Sequence, residues 1–490
     1  MKKKFIAICI ASLGCAVVAG SAWAQGAAGT APASMPTGGA SNLATLVNHA
    51  LNTHPEVQAR FHDFVSSLED QNIATGGLRP QANAQAWYGH EWRSQTSPSP
   101  SFDWRRPGWE LSLTQLLYDG SATFNEIDRF GFEKLSRYYD LRATSNALAD
   151  QVTEAYLDVQ RYRQMRLLAQ DNYQVHQDTL GHLRERQQSG VGRGVDLEQA
   201  NGRLALAQVN LMTESNNLND VSQRFHRVVG QYPAATLDPV PPLQDGLLPT
   251  PGTTHDFEAQ LRGSPTLLSK QALVQAAEAA QERATALHKP TVELRLATGR
   301  DREKTFSMGP TSNYQSTSLQ VLMNYNLYRG GADEARIRQT IAQHYAAQDV
   351  RDYTCRNAQQ DLSVAWNNIV RLREQLPFLR EHELATSKVR TAFMQQFQIG
   401  QRTLLDLLDT ENELFEARRA LVNAEYDLRK YEFQWLTQAN LVMPALGLAK
   451  PPHEDALPEE QNALALPDEV LQACKTPLPD TSNLAPVAAR

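Results

Sequence analysis

Shifted against itself by 210 residues, this chain aligns its own punctuation without a gap. Pro55 falls on Pro265, Pro80 on Pro290 and Gly89 on Gly299. Tyr118-Asp-Gly120 falls on Tyr328-Arg-Gly330, Gly190 on Gly400, and Asp196-Leu197 on Asp406-Leu407. Glycine and proline fix backbone conformation, so matched positions of these two residues mean matched turns and helix ends. One constant offset over more than a hundred positions means two copies of one fold. The copies run over 42–230 and 257–440.

Within each copy the apolar period changes along the chain. A helical segment stops before Pro80 or Pro290, because proline cannot continue a helix interior. Alternation follows: Ala82, Ala84, Ala86 and Tyr88 against Asn83 and Gln85, and Val292, Leu294 and Leu296 against Glu293 and Arg295. After a loop, Pro/Ser-rich over 96–108 in the first copy, alternation returns as Trp109, Leu111 and Leu113 against Glu110, Ser112 and Thr114. Its counterpart is Leu319, Val321, Met323, Tyr325 and Leu327 against Gln320, Asn324 and Asn326. Period two with one apolar face predicts strands at 81–90, 109–118, 291–299 and 316–328. Helical sequence then runs over 121–188 and 331–398, each about 100 Å if continuous. Glycine-bearing turns reverse each copy into a second helix, 195–229 and 403–440. Leu407, Leu414, Leu421 and Leu428 recur every seven residues, with Leu408, Phe415 and Val422 beside them. That repeat predicts helices packed side by side over a long distance.

Lys2, Lys3 and Lys4, an apolar run from Phe5 to Val18, and Ala22-Trp23-Ala24 mark residues 1–24 as a secretory signal peptide. Cys15 is not read as a lipidation site, since Ser12 stands where such a motif needs leucine. Residues 25–41 read as a flexible N-terminus, 231–256 with six prolines as a linker, and 441–490 as an extended or disordered Pro-rich tail. Without the leader the balance is 44 basic to 54 acidic residues, which argues against a nucleic-acid partner. Cys355 and Cys474 are the mature cysteines; an oxidising compartment permits a disulfide without requiring one.

No later stretch reaches the ~20 apolar residues of a membrane helix. A membrane-spanning role would therefore fall to the strands. Four strands cannot close, and an open edge in lipid leaves backbone groups unpaired at several kcal/mol each. Eight strands leave an interior that side chains fill, so an aqueous bore needs strands from at least three chains. A soluble periplasmic coiled-coil adaptor with a small β-domain shares the leader and the heptads, and remains the alternative.

The segment Phe397-Gln-Ile-Gly-Gln-Arg-Thr-Leu-Leu-Asp-Leu-Leu-Asp-Thr-Glu-Asn-Glu-Leu414, with Ala417-Arg-Arg-Ala-Leu-Val-Asn-Ala-Glu-Tyr426, resembles the TolC family of outer-membrane channels. Leu-Tyr-Asp-Gly (117–120), Leu-Tyr-Arg-Gly (327–330) and the start at 42–55 add to the likeness. The resemblance covers about 42–445. It implies an α+β membrane protein: a trimeric 12-stranded β-barrel, four strands per chain, continued by a long α-helical coiled-coil tunnel into the periplasm. It also implies an outer-membrane location, a periplasmic adaptor (membrane fusion) protein and an inner-membrane ABC or proton-driven pump as partners, and passive conduction with no cofactor or catalytic centre. The 397–426 wording resembles members serving type I protein secretion; multidrug efflux members are similar.

Asp406 and Asp409 sit three apart, so both can face one side of a helix, and in a trimer they would form two carboxylate rings that favour cations. The residues alone fit equally a helix-starting box at Thr403-x-x-Asp406 and a solvated Asp409. The resemblance places both aspartates at the pore constriction. It also implies gate-restraining links through Arg402 and Phe397 to the neighbouring hairpin, where Asp196 is the repeat partner of Asp406. Phe397 stands where related channels carry tyrosine. Gly190 and Gly400 mark the helix-turn tips expected to meet the adaptor. Gly190-x-Gly192-x-Gly194 follows a helix and lacks Lys-Ser/Thr, so it reads as a turn rather than a phosphate loop. His176 and His182 lie six apart, off any one-face metal spacing, and read as solvated. Glu411 and Glu413 point to different helix faces, and no catalytic motif is present.

Overall fold

The repeat recurs in three dimensions at the same offset. Helix α1 (Leu43–Thr53) starts at Asn42, whose side chain accepts the Ala44 N–H at 2.9 Å. Helices α2 (Pro55–Gly76) and α6 (Pro265–Thr285) both open on proline, whose missing N–H is one the first helical turn leaves unused. Strands β1 (Gln81–Arg93) and β2 (Phe102–Tyr118) follow α2, and β3 (Thr291–Glu303) and β4 (Ser312–Asn324) follow α6. The long helices α3 (Ala122–Gln188) and α7 (Ala332–Gln398) have 67 residues each. Their return helices are α4 (Gly194–Val229) and α8 (Leu404–Gln438), and a short α5 (Glu258–Arg262) precedes α6. The computed structural model describes residues 41–94, 101–190, 193–243, 246–249, 257–304, 309–448 and 464–474, all within one unit, Ser41–Arg490. The signal peptide (1–24), the N-terminal stretch before Ser41, and parts of the linker and tail lie outside the described residues.

The strands form one antiparallel sheet in the order β1-β2-β3-β4. Its register sets Ala82 opposite Leu113, Leu113 opposite Leu296, and Leu296 opposite Leu319. The next rung on the other face is Asn83, Ser112, Ala297 and Ser318. One face is therefore apolar across all four strands and the other polar. Leu111, Leu113, Leu296, Leu319, Val321 and Met323 are all exposed, so among the described residues nothing in the protomer covers the apolar face.

Five strand boundaries differ from the sequence reading, two of them because β1 runs on to Arg93 and β3 to Glu303. Residues 102–108, expected in a loop, belong to β2 and pair with β1 from Arg93 to Trp87. Pro107 sits inside this stretch because β2 bonds only to β1 there; pairing with β3 stops at Trp109↔Arg300. Strand β4, expected over 316–328, begins at Ser312 and ends at Asn324. Its partner β3 extends to Glu303 at one end and starts at Thr291, just after Pro290, at the other, so nothing is left for Tyr325–Tyr328 to pair with.

The helical core lies around the middle of α3. Tyr138, Leu148, Val152 and Tyr156 are fully buried there with Phe64 from α2, Phe225 from α4 and Trp435 from α8. The Tyr156 hydroxyl lies 2.7 Å from the Ser41 carbonyl oxygen and 2.5 Å from that of Asp238, which ties the first residue of the unit and the linker to this core. Where the tail is described, over 441–448 and 464–474, it is ordered rather than extended or disordered as expected, and the rest of 441–490 lies outside the described residues. Helices α9 (Val442–Ala445) and α10 (Asp468–Cys474) form there. Leu466, Val470 and Leu471 are buried, Asp468 lies 2.7 Å from Arg262, and Cys474 is disulfide-bonded to Cys355 of α7. A few apolar side chains and one crosslink hold a segment whose composition alone does not suggest order.

Candidate functional site

Both helix pairs turn at the end far from the sheet. Gly190 (φ 81°) closes the first turn and Gly400 (φ 78°) the second, a left-handed conformation that a Cβ would strain. The Gly400 N–H donates to the Phe397 carbonyl at 3.0 Å and the Gln401 N–H to the Gln396 carbonyl at 2.8 Å, so the α7 end is sealed. Thr403 then caps α8: its Oγ1 accepts the Asp406 N–H at 3.3 Å and donates to the Asp406 carboxylate at 2.9 Å. The helix-starting box of the sequence is thus present.

The two turns are one packed unit. Leu180 and Leu183 of α3, Ala200 of α4 and Leu404 and Leu408 of α8 form a buried cluster, with Leu197, Leu204 and Phe397 packed against it. Above it, the Arg186 guanidinium lies 5.6 Å from the centre of the Phe397 ring. Phe397 therefore joins the two hairpins of one protomer through packing, which needs no hydroxyl.

The charged residues singled out from sequence fall into two groups. Arg402 stays on its own hairpin: its Nε donates to Gln396 Oε1 at 3.0 Å, its Nη1 lies 3.6 Å from Asp406, and its guanidinium sits 4.3 Å from the Phe393 ring centre. Asp196 occupies the first turn of α4, and no ion pair among the described residues joins it to Arg402. Asp409, in contrast, reaches across hairpins and meets Arg203 of α4 at 2.5 Å, with more than half of the Asp409 side chain exposed. Arg203 was not among the residues singled out. Its signal is weak: it lies seven residues after Asp196, on the same face two turns along α4.

Below the tip, buried carboxylates are each held by an arginine. Glu411 meets Arg390 at 2.5 Å, and burial raises its carboxyl pKa above the usual range despite that partner. Glu214 meets Arg419 at 2.9 Å. His176 corrects a second expectation: it is buried, not solvated, and burial together with the Arg203 charge lowers its pKa. His182 is exposed. His176 falls on the α3 face that packs against neighbouring helices, which a metal-spacing test does not detect. Among the described residues no group of His, Cys, Asp and Glu could hold a metal ion.

At the opposite end, the polar face of the sheet carries its own ion pairs. Arg106 is held by Asp301 at 2.5 Å and Glu91 at 3.0 Å, and Arg295 by Glu110 at 2.6 Å. Phe102 and Trp104 are buried on this face, and the Arg93 guanidinium lies 5.1 Å from the Trp104 ring. The molecule thus joins an open four-stranded sheet, apolar on one side and wet on the other, to two helix pairs that meet in a charged tip.

A sequence profile described as outer membrane efflux protein matches residues 46–231 and 258–435, the two copies of the repeat. Outer membrane efflux protein BepC of Brucella suis is 25% identical over 364 residues, covering 74% of this chain and 77% of that protein. The alkaline protease secretion protein AprF of Pseudomonas aeruginosa is 24% identical, covering 77% and 80%. Among solved structures, the CmeC outer membrane channel of Campylobacter jejuni superposes with a TM-score of 0.74 at 13% identity, covering 87% of this chain and 90% of that one.

Proposed function

We propose, from the premise that this chain belongs to the outer membrane efflux protein family, that three copies close a 12-stranded barrel and conduct cargo from the periplasm to the outside. The chain is an outer-membrane channel subunit, and its fold is that of channel proteins rather than of enzymes. The observation that carries the trimer is the sheet. Among the described residues, strands β1 and β4 each keep one unpaired edge and the apolar face has no cover within the protomer. Lipid covers the apolar face, and the edge deficit vanishes there only when β4 of one copy pairs with β1 of the next. Exposed apolar residues continue down the helices, at Tyr345, Tyr353 and Val364 of α7 and at Leu206, Val209 and Met212 of α4, where neighbouring copies would pack.

The cargo we assign is protein, delivered by a type I secretion pump of the inner membrane through a periplasmic adaptor that meets the tips at Gly190 and Gly400. Support comes from the 397–426 wording and from the relatives named for protease secretion. The relative named for efflux keeps drug export as the second reading. In the closed state Asp406 and Asp409 form the constriction, and Arg402, Asp196 and Phe397 restrain it. The test is a strain lacking this chain, with outer membranes assayed for heat-modifiable trimers in the parent. Loss of specific proteins from the medium is expected. Unchanged protein export with increased sensitivity to small toxic compounds would transfer the chain to drug efflux, and recovery of a soluble periplasmic monomer would remove it from the membrane.

A further inference from the structure

The two faces of the sheet treat their arginines differently at the end away from the helices. On the polar face each cation has acids: Arg106 has Asp301 and Glu91, Arg295 has Glu110, and Arg93 lies within 3.6 Å of Glu91 and Glu303. The apolar face ends in Arg105, Arg300 and Arg302. Arg105 stands opposite His90, Arg300 is flanked by Trp109 and Gln315, and Arg302 stands opposite Asn313. Among the described residues none of these three arginines has a carboxylate partner on its side chain; the Arg302 Nη2 donates only to the Thr311 hydroxyl at 3.3 Å. The acid of this rim, Asp103, is engaged by His90 at 2.7 Å.

Position gives the arrangement its meaning. Below the arginines the same face is apolar: Leu111 and Leu113 on β2, Val292, Leu294 and Leu296 on β3, and Leu319, Val321 and Met323 on β4. Tyr88 and Trp109, both exposed, stand at the boundary between apolar and charged rows, and Trp92 lies one rung beyond Arg105. Aromatic side chains gather where hydrocarbon gives way to headgroups. The helices leave the sheet at the other end, toward the periplasm, so this boundary is the outer one. Arginines there project sideways into the headgroup layer rather than into the channel.

We propose that Arg105, Arg300 and Arg302 form a lateral binding site for the phosphate groups of lipopolysaccharide, the phosphorylated glycolipid of the outer leaflet. It rests on the reading that the apolar face meets lipid. A planar guanidinium offers paired donors that match phosphate oxygens. The Gln315 and Asn313 amides add neutral donors, and Trp109 gives the sugar rings an apolar wall. Each subunit carries the site once, so a trimer holds three glycolipids around its outer rim.

The test uses the full-length mature trimer in detergent, titrated with rough lipopolysaccharide, with the same material after phosphate removal, and with phosphatidylglycerol. Lipopolysaccharide is expected to raise the melting temperature and the dephosphorylated form to leave it unchanged. The variant Arg105→Gln/Arg300→Gln/Arg302→Gln weakens binding on the order of a hundredfold, from about fivefold for each surface arginine. Arg60→Gln/Arg336→Gln/Arg338→Gln, which removes the same charge from the helices, binds as the parent does. Equal binding of dephosphorylated material, equal binding of phosphatidylglycerol, or full binding by the rim variant overturns the proposal. A fluorophore on Leu319→Cys in vesicles with brominated lipid separates the two readings. Quenching there with no phosphate dependence defeats the site alone; no quenching defeats the lipid-facing sheet itself.

Discussion

Asp409 spends its charge within its own protomer. Its partner Arg203 belongs to the first copy of the repeat and Asp409 to the second, so this salt bridge links the two hairpins at the tip, the end proposed to gate the channel. An exposed pair contributes about 0.5–1 kcal/mol, and three protomers combine to shift the closed state roughly tenfold or more. Arg203→Ser is therefore expected to raise resting conductance in planar bilayers by roughly that factor, and Asp409→Asn to do the same without adding to it in the double variant. Arg402→Ser, whose contacts lie on one hairpin, should act independently; unchanged conductance in Arg203→Ser would remove the link from the gate. Asp150 is a different kind of residue. Half-buried on α3 beside Glu154, it has its pKa raised to about 6, chiefly by burial. A carboxyl that holds its proton more tightly folded than unfolded weakens the fold once ionised. Stability is then lost as pH rises through about 6 and recovered as pH falls toward the unfolded value near 4. Asp150→Asn should stabilise the protein at pH 7–8 by on the order of 2 kcal/mol and not at pH 4. Thermal melts at both pH values check this, and an equal gain at each would show that charge is not the cause.

At the scale of elements, matching lengths say more than matching residues. Helices α3 and α7 start and stop 210 positions apart and both have 67 residues, although few of their side chains agree. What each copy conserves is where its chain turns. The clearest departure from symmetry is the C-terminal segment. The Cys355–Cys474 bond closes a span of 119 residues and pins α10 against α7, while Asp468 reaches Arg262, the last residue of α5. Closing so long a loop stabilises by about 2–4 kcal/mol in the usual range. Cys474→Ser should lower the melting temperature and speed hydrogen exchange over 464–474, with the sheet and the tips unaffected. Exchange in this segment at the parent's rate would mean that Leu466, Val470 and Leu471 hold it without the crosslink.

For the whole molecule, the protomer is an unfinished object. Its sheet has two free edges, its apolar face is bare, and Leu421 and Leu428 of the heptad stripe remain half-buried while Leu407 and Leu414 are sealed inside. At the tip Val195, Ile399 and Leu405 are exposed as well, so apolar surface is left bare from the sheet to the turns.

Much of this was legible in the residues. The 210-residue repeat, the two-residue period of the strands and the seven-residue period of α8 are local or self-referential patterns, and they foretold helices, strands and the open sheet. Strand ends were not, because a strand stops where its partner stops: Phe102–Gly108 is a strand through β1, and Tyr325–Tyr328 is not one for want of β3. The aspartates at 406 and 409 could be picked out, but their partners could not. Sequence spacing gives the face of one helix, while Arg203 meets Asp409, and Cys474 meets Cys355, only because separate helices cross there. Local pattern specifies the repeated helices and strands and their order, whereas packing specifies which charges neutralise one another, since a pair separated by more than two hundred residues, such as Arg203 and Asp409, is set by nothing local.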